Sequence, residues 1–240
     1  MTLMFRRAAL LGTLMLAALP ALALQPFVAS YQAYNEGTLA GTATLQVVHN
    51  RGDQWRVDLG IRGNRGFAGL VGLNVEQSTV FDNVQDWYRP LSHSTVNRAF
   101  FSRRKVTGLY DWNARSSSWS GDLKKERKQP VPLGEHDVSA LLMNLAVVRD
   151  VQPGKQLAYR VVENGRARDH IYAVAADTET VAVDQMSYEA MRVSRTNGGN
   201  DETIFWIADG VPTPVRILQR ENGADTIDLR LVEYQGVQSP

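Results

Sequence analysis

Apolar and polar residues alternate along most of this chain with a period of two. In QWRVDLGIRG, Trp55, Val57, Leu59 and Ile61 share one face while Arg56, Asp58 and Arg62 share the other, the pattern of a strand with one dry side and one wet side. TIDLRLVEY repeats it near the C-terminus, with Ile227, Leu229 and Leu231 opposite Asp228 and Arg230. Further runs follow at YQAY, TATLQVV, STVFDN, HSTVNRAFF, KVTGLYDW, SSWSG, ETVAVD, YEAMRVS and TIFWI. Between them lie Asn164-Gly165, the stretch from Asn197 to Asn200, and Asn222-Gly223, residues that accept the positive φ of tight hairpin turns. The spacing predicts a mainly β fold, a curved antiparallel sheet or half-open β-barrel of about a dozen strands.

Two segments leave that period. In HDVSALLMNLAVVRDVQPG the apolar positions Val138, Leu141, Leu142, Leu145 and Val148 recur at helical spacing, Asp137 stands as a candidate N-cap and Pro153-Gly154 as a stop. One amphipathic helix, Val138 to Arg149, is therefore expected to pack on the concave face of the sheet. In GNRGFAGLVGLNVEQ, Phe67, Leu70, Val71 and Leu73 are interleaved with Gly63, Gly66, Gly69 and Gly72, too many glycines for a regular strand or a long helix. The segment reads as a lid over an apolar cavity or a membrane-touching loop, or as a crossing where backbone meets backbone.

FWIADGVPTPVRI adds a geometric expectation. Residues two apart in a strand point their N–H groups to the same side, so Pro212 and Pro214 would strip donors from one side and mark a free edge. The other reading is a turn that runs to Pro214, with the strand starting at Val215.

The N-terminus changes the compartment. Arg6-Arg7 precede an apolar run from Ala8 to Leu19, then Pro20 and the small-residue site Ala21-Leu22-Ala23. This reads as a signal peptide, residues 1–23, cleaved after Ala23, with 24–240 as a single β-rich domain. The run is shorter than the roughly 20 residues a membrane-spanning helix needs. Sec export fits FRRAALL better than the twin-arginine route. A soluble periplasmic protein is expected, with no transmembrane segment after cleavage.

The whole chain carries 26 basic and 25 acidic side chains and no cysteine. Near-neutrality gives no basis for nucleic-acid binding, and the lack of cysteine excludes disulfides and thiolate metal sites. His49, His93, His136 and His170 stand far apart, without metal-ligand spacing, so no metal or cofactor is expected. His136-Asp137-x-Ser139 imitates a catalytic triad, yet adjacent residues cannot converge as base and nucleophile must. No catalytic residues are assigned, and the chain reads as a non-enzyme. The basic runs Arg103-Arg104-Lys105 and Lys124–Lys128 suit solvated hairpin ends better than a lipid-headgroup surface.

Tyr34, Gly37 and Gly41 in YNEGTLAG, the WYRP element ending at Pro90, HDVSALL with Asp137 and Ser139, and FWIADGVPTPVRI with Trp206, Asp209 and Pro214 together resemble the exported bacterial family named domain of unknown function 3108. The resemblance spans nearly the whole mature chain and implies an envelope location with no established reaction. A more distant similarity is to periplasmic lipoprotein carriers, whose half-open barrel holds acyl chains beneath a helical lid; the chain departs from them in its single strong helix and its extra hairpins.

Two functions follow. The first is a non-catalytic binding module for a lipid or other apolar envelope molecule, with Trp55, Phe67, Leu70, Val71, Leu141, Leu145 and Trp206 lining the ligand space. The second is a structural component of the envelope that docks a protein partner and holds no small ligand.

Overall fold

The computed structural model describes residues 24–66, 74–99 and 102–236. The N-terminal half is a meander of β1 (Phe27–Asn35), β2 (Thr38–His49), β3 (Gln54–Gly63), β4 (Asn74–Val84), β5 (Trp87–Ala99), β6 (Ser102–Asp111), β7 (Ser116–Gly121) and the short β8 (Val131–Pro132). A 3-10 turn, Lys125–Lys128, lies between β7 and β8. The helix α1 (Ala140–Asp150) follows, then a second meander of β9 (Gln156–Glu163), β10 (Arg166–Val183), β11 (Met186–Arg195), β12 (Glu202–Ala208), β13 (Arg216–Glu221) and β14 (Ala224–Gly236). Pairing of β1 with β14 joins the two meanders into one antiparallel sheet of 14 strands, with β8 and β9 as its free edges.

The sheet curls until those edges meet through side chains. Tyr110 donates its hydroxyl to the Val162 carbonyl at 2.6 Å, and Tyr110, Trp119, Leu133 and Val162 form a small core of their own at the seam. Val138 pairs with Val161 in a parallel bridge, which covers part of the β9 edge. The result is a nearly closed barrel.

The predicted helix exists, but it starts two residues later than expected. Val138 is held extended by its bridge to β9, so the cap falls on Ser139, whose hydroxyl accepts the Leu142 N–H. Asp137 is no cap; its carboxylate pairs with Arg160 and accepts the Gly134 N–H. Leu141, Leu142, Met143, Leu145, Ala146 and Val147 are all buried, which is most of the helix circumference rather than one stripe. The helix is a plug inside the barrel, against β9 on one side and β3, β4 and β5 on the other.

The free edge expected at the prolines is absent. Pro212 and Pro214 lie in the loop between β12 and β13, both interior strands, and Val215 is paired on two sides: its N–H donates to Trp206 and its carbonyl accepts from Leu231. The loop is fixed from within. Buried Tyr31 donates to the Pro214 carbonyl at 3.0 Å and shares a hydrogen bond with Thr213, itself fully buried. Prolines suit a loop whose N–H groups the sheet does not use.

One part of the sheet is two layers thick. Phe205, Ile217 and Leu229 form an inner row, which puts Ile204, Trp206 and Leu218 on the outer face, yet these too are buried. Beyond a bulge between Val174 and Thr178, the β10–β11 hairpin bends back over that face. Glu179 accepts the Trp206 indole N–H, and near the hairpin tip Asp184 accepts from Gln32.

Candidate functional site

The two ends of the barrel differ. Antiparallel pairing places the β1–β2, β9–β10 and β13–β14 turns at one end, which we call the open end, together with the C-terminus of β3 and the N-terminus of β4. The β4–β5 turn, the proline loop and the C-terminus of α1 lie at the other.

A cleft of about 540 Å³ lies at the open end. Ala33, Leu39, Ile61, Val75 and Ile227 supply its apolar wall, and Arg62 and Arg65 border it. Alternation puts Ala33 and Ile61 on the inner face, continuing the rows that begin with buried Tyr31 and Val57, and Ile61 and Val75 are partly exposed. Gly41 shapes the wall: a Cβ there would stand 1.9 Å from the Arg62 carbonyl oxygen, so only glycine lets the two strands approach so closely.

The seven residues expected to line one space do not all meet there. Phe67, Leu70 and Val71 lie outside the described residues. Leu141 and Leu145 are buried on the plug, and Leu145 borders a second recess at the far end with Tyr88, Arg149 and Pro212. Trp55 sits at the far end of β3, its ring 4.6 Å from that of His49. Trp206 occupies the opposite face of the sheet beneath the β10–β11 arm, with the Arg216 guanidinium 4.7 Å above its ring. The expected lining came from two tryptophans, the helix stripe and the glycine-rich segment; Ile61 and Ile227 were legible as inner-face positions near strand ends on the same side.

Behind the cleft, a polar chain crosses the core. His93 Nδ1 meets the Thr79 hydroxyl at 2.8 Å, Thr79 meets the Ser139 hydroxyl at 3.1 Å, and His93 Nε2 lies 3.2 Å from a Glu163 oxygen. Hydroxyl, imidazole and carboxylate in sequence suggest a nucleophile relay, but Thr79 and Ser139 are fully buried and His93 is 1% exposed. No substrate atom can reach them. The chain fixes the start of α1 to β4, β5 and β9, and satisfies polar groups that would be costly to bury alone. His136 takes no part; its ring packs edge-on to Trp87 at 5.2 Å. Among the described residues, no three His, Asp or Glu side chains converge as metal ligands would.

A family profile described as Protein of unknown function (DUF3108) matches residues 29–230, and the chain belongs to that family. Among solved structures, a beta-barrel-like protein of domain of unknown function DUF1849 from Brucella abortus aligns over 90% of this chain and 99% of its own, with a TM-score of 0.53 at 11% identity. That likeness is one of fold. A DUF1089 family protein from Pseudomonas aeruginosa aligns over 88% and 95% with a TM-score of 0.40 at 12% identity. No curated protein matches the chain.

Proposed function

We propose that this DUF3108 protein is an exported periplasmic binding module that holds a lipid or another apolar envelope molecule at its open end and catalyses no reaction on it. The observation that carries this reading is the 540 Å³ cleft walled by Ala33, Leu39, Ile61, Val75 and Ile227 in a barrel whose other end holds the C-terminus of the helix and the proline loop and keeps a smaller apolar recess of about 300 Å³. Its size and its mostly apolar lining, with a few charged groups at the rim, are those of small-molecule sites. Export rests on the sequence from Arg6 to Ala23 alone. The competing reading, a protein-docking component, would use a free sheet edge; β8 is two residues long and β9 is partly covered by Val138, so there is little edge to offer.

Mass spectrometry of organic extracts from gently purified protein is the test. A reproducible apolar species at a stoichiometric amount supports the proposal, and protein that is consistently empty sinks it. N-terminal sequencing of the periplasmic fraction checks export, which predicts a chain beginning at Leu24.

A further inference from the structure

On the wall across the mouth from the apolar cleft, a separate recess of about 150 Å³ is bordered by Arg127, Arg166, Arg168, His170, Glu163 and Ala140. Three arginines from two segments border it. Arg166, Arg168 and His170 are two apart on β10 and so share one face, while Arg127 comes from the 3-10 turn. The turn chemistry lets the two segments approach closely. Asn164 and Gly165 both hold positive φ, 51° and 69°, as a two-residue hairpin requires, and a Cβ on Gly165 would lie 1.9 Å from the Arg127 carbonyl oxygen.

The charges in this recess are not balanced. Several arginines elsewhere on the barrel are held by carboxylates: Arg216 and Arg230 share Asp228, Arg220 bridges Glu202 and Asp225, and Arg89 grips Asp82. Among the described residues, Arg127, Arg166 and Arg168 have no carboxylate within ion-pair distance. The one acid present, Glu163, is turned to buried His93. The start of α1 at Ala140 adds its positive end. Burial foremost, then Arg195 and Arg168, push the His170 imidazole down to about 4 against the opposing pull of Glu163 and Asp169.

We propose that this recess binds a phosphate group, its oxygens held by the forked donors of Arg127, Arg166 and Arg168. Guanidinium forks match phosphate oxygens two at a time, and groups approaching from separate segments suit a tetrahedral anion. The phosphate has two possible sources, a free phosphate compound or a phospholipid headgroup presented at the same open end. The site involves none of the residues that wall the apolar cleft, so it stands or falls independently of that proposal.

The experiment titrates the purified protein with inorganic phosphate and follows the imidazole resonances by NMR, His170 being assigned from the spectrum of His170→Gln. In parallel, phosphatidylglycerol vesicles are tested by flotation. A saturable change at His170 with phosphate, weakened about tenfold or more in both the R166Q/R168Q double variant and R127Q, supports a site that takes the free group. Vesicle binding lost in the same variants, with no response to phosphate, supports the headgroup source. Arg168 is exposed and, among the described residues, none of the three is ion-paired, so the variants should fold; a thermal melt like the parent's verifies that. A His170 resonance indifferent to phosphate together with no vesicle binding, or variants that bind both probes as well as the parent, overturns the proposal.

Discussion

The plugged end and the open end of the barrel are made from the same alternating strands, and a difference in length separates them. The helix has 11 residues and so spans about 16 Å, whereas a strand such as β3, with 10 residues, spans about 33 Å. A plug that short fills roughly half of the interior. It fills the half where Arg149, in the last turn of the helix, stacks its guanidinium 4.8 Å from the centre of the Tyr88 ring and donates to the Asp86 carbonyl, and where Tyr31 clamps the proline loop. The other half keeps partly exposed inner-face residues and, among the described residues, arginines with no carboxylate partner. Stability is therefore concentrated at one end, and surface suited to ligands at the other.

The strongest way to break this comparison is to hollow the plug. Leu142 is fully buried on α1, and Leu142→Ala should cost about 2–5 kcal/mol through lost burial and a residual cavity. Urea unfolding would measure it as a lower midpoint with an unchanged slope. A loss under about 1 kcal/mol would mean that the helix is not the plug of a packed half. Next in size is Tyr31→Phe, which removes the hydroxyl that satisfies Thr213 and the Pro214 carbonyl; about 1–2 kcal/mol should be lost, because the buried carbonyl and the Thr213 hydroxyl keep their desolvation cost.

Much of the fold was legible from period alone. Nearly every alternating run became a strand, and Asn164-Gly165 became the tight turn it promised. The errors share a cause: each depended on a partner distant in sequence. Asp137 looks like a cap until Arg160 claims its carboxylate and Val161 holds Val138 extended. Pro212 and Pro214 look like an edge until Tyr31, far away in sequence, accounts for the loop. The site was less legible still. Ile204 to Ala208 is an unbroken apolar run, the pattern of a strand buried on both faces, but nothing local shows that Trp206 lies on the outer face, covered by a second layer that a bulge in β10 folds over it. The arginine recess needed the Gly165–Arg127 approach, a contact between segments that a linear reading cannot bring together.

Acid should separate the ends by way of His170. Its folded-state pKa, about 4, lies below the ordinary value of 6.5, so the unfolded chain takes up this proton first as pH falls. The sign follows: the group leaves stability untouched above about pH 6.5 and subtracts from it progressively as pH falls toward 4. Because the ring is only half-buried, the effect should be modest, smaller than that of either core substitution. Unfolding midpoints between pH 7 and pH 4 should fall less steeply in His170→Gln than in the parent. Equal slopes would mean that the open end imposes no such cost on a cation.

The smallest effect on stability should accompany the clearest effect on binding. Ile61 faces the cleft on the inner side of β3 and is only partly buried, so Ile61→Thr, which keeps the branched Cβ that strands favour, should cost about 1 kcal/mol or less. It also places a hydroxyl on the apolar wall, where a bound chain would leave it without a partner. The yield of apolar species in organic extracts should fall while the melting temperature barely moves. A variant as destabilised as Leu142→Ala would identify the region around Ile61 as ordinary core and would make the two ends one continuous packing unit. Undiminished ligand with unchanged stability would instead move the binding surface away from β3, toward the recess at the plugged end, which Leu145 and Val148 of the helix border together with Tyr88 and Val211.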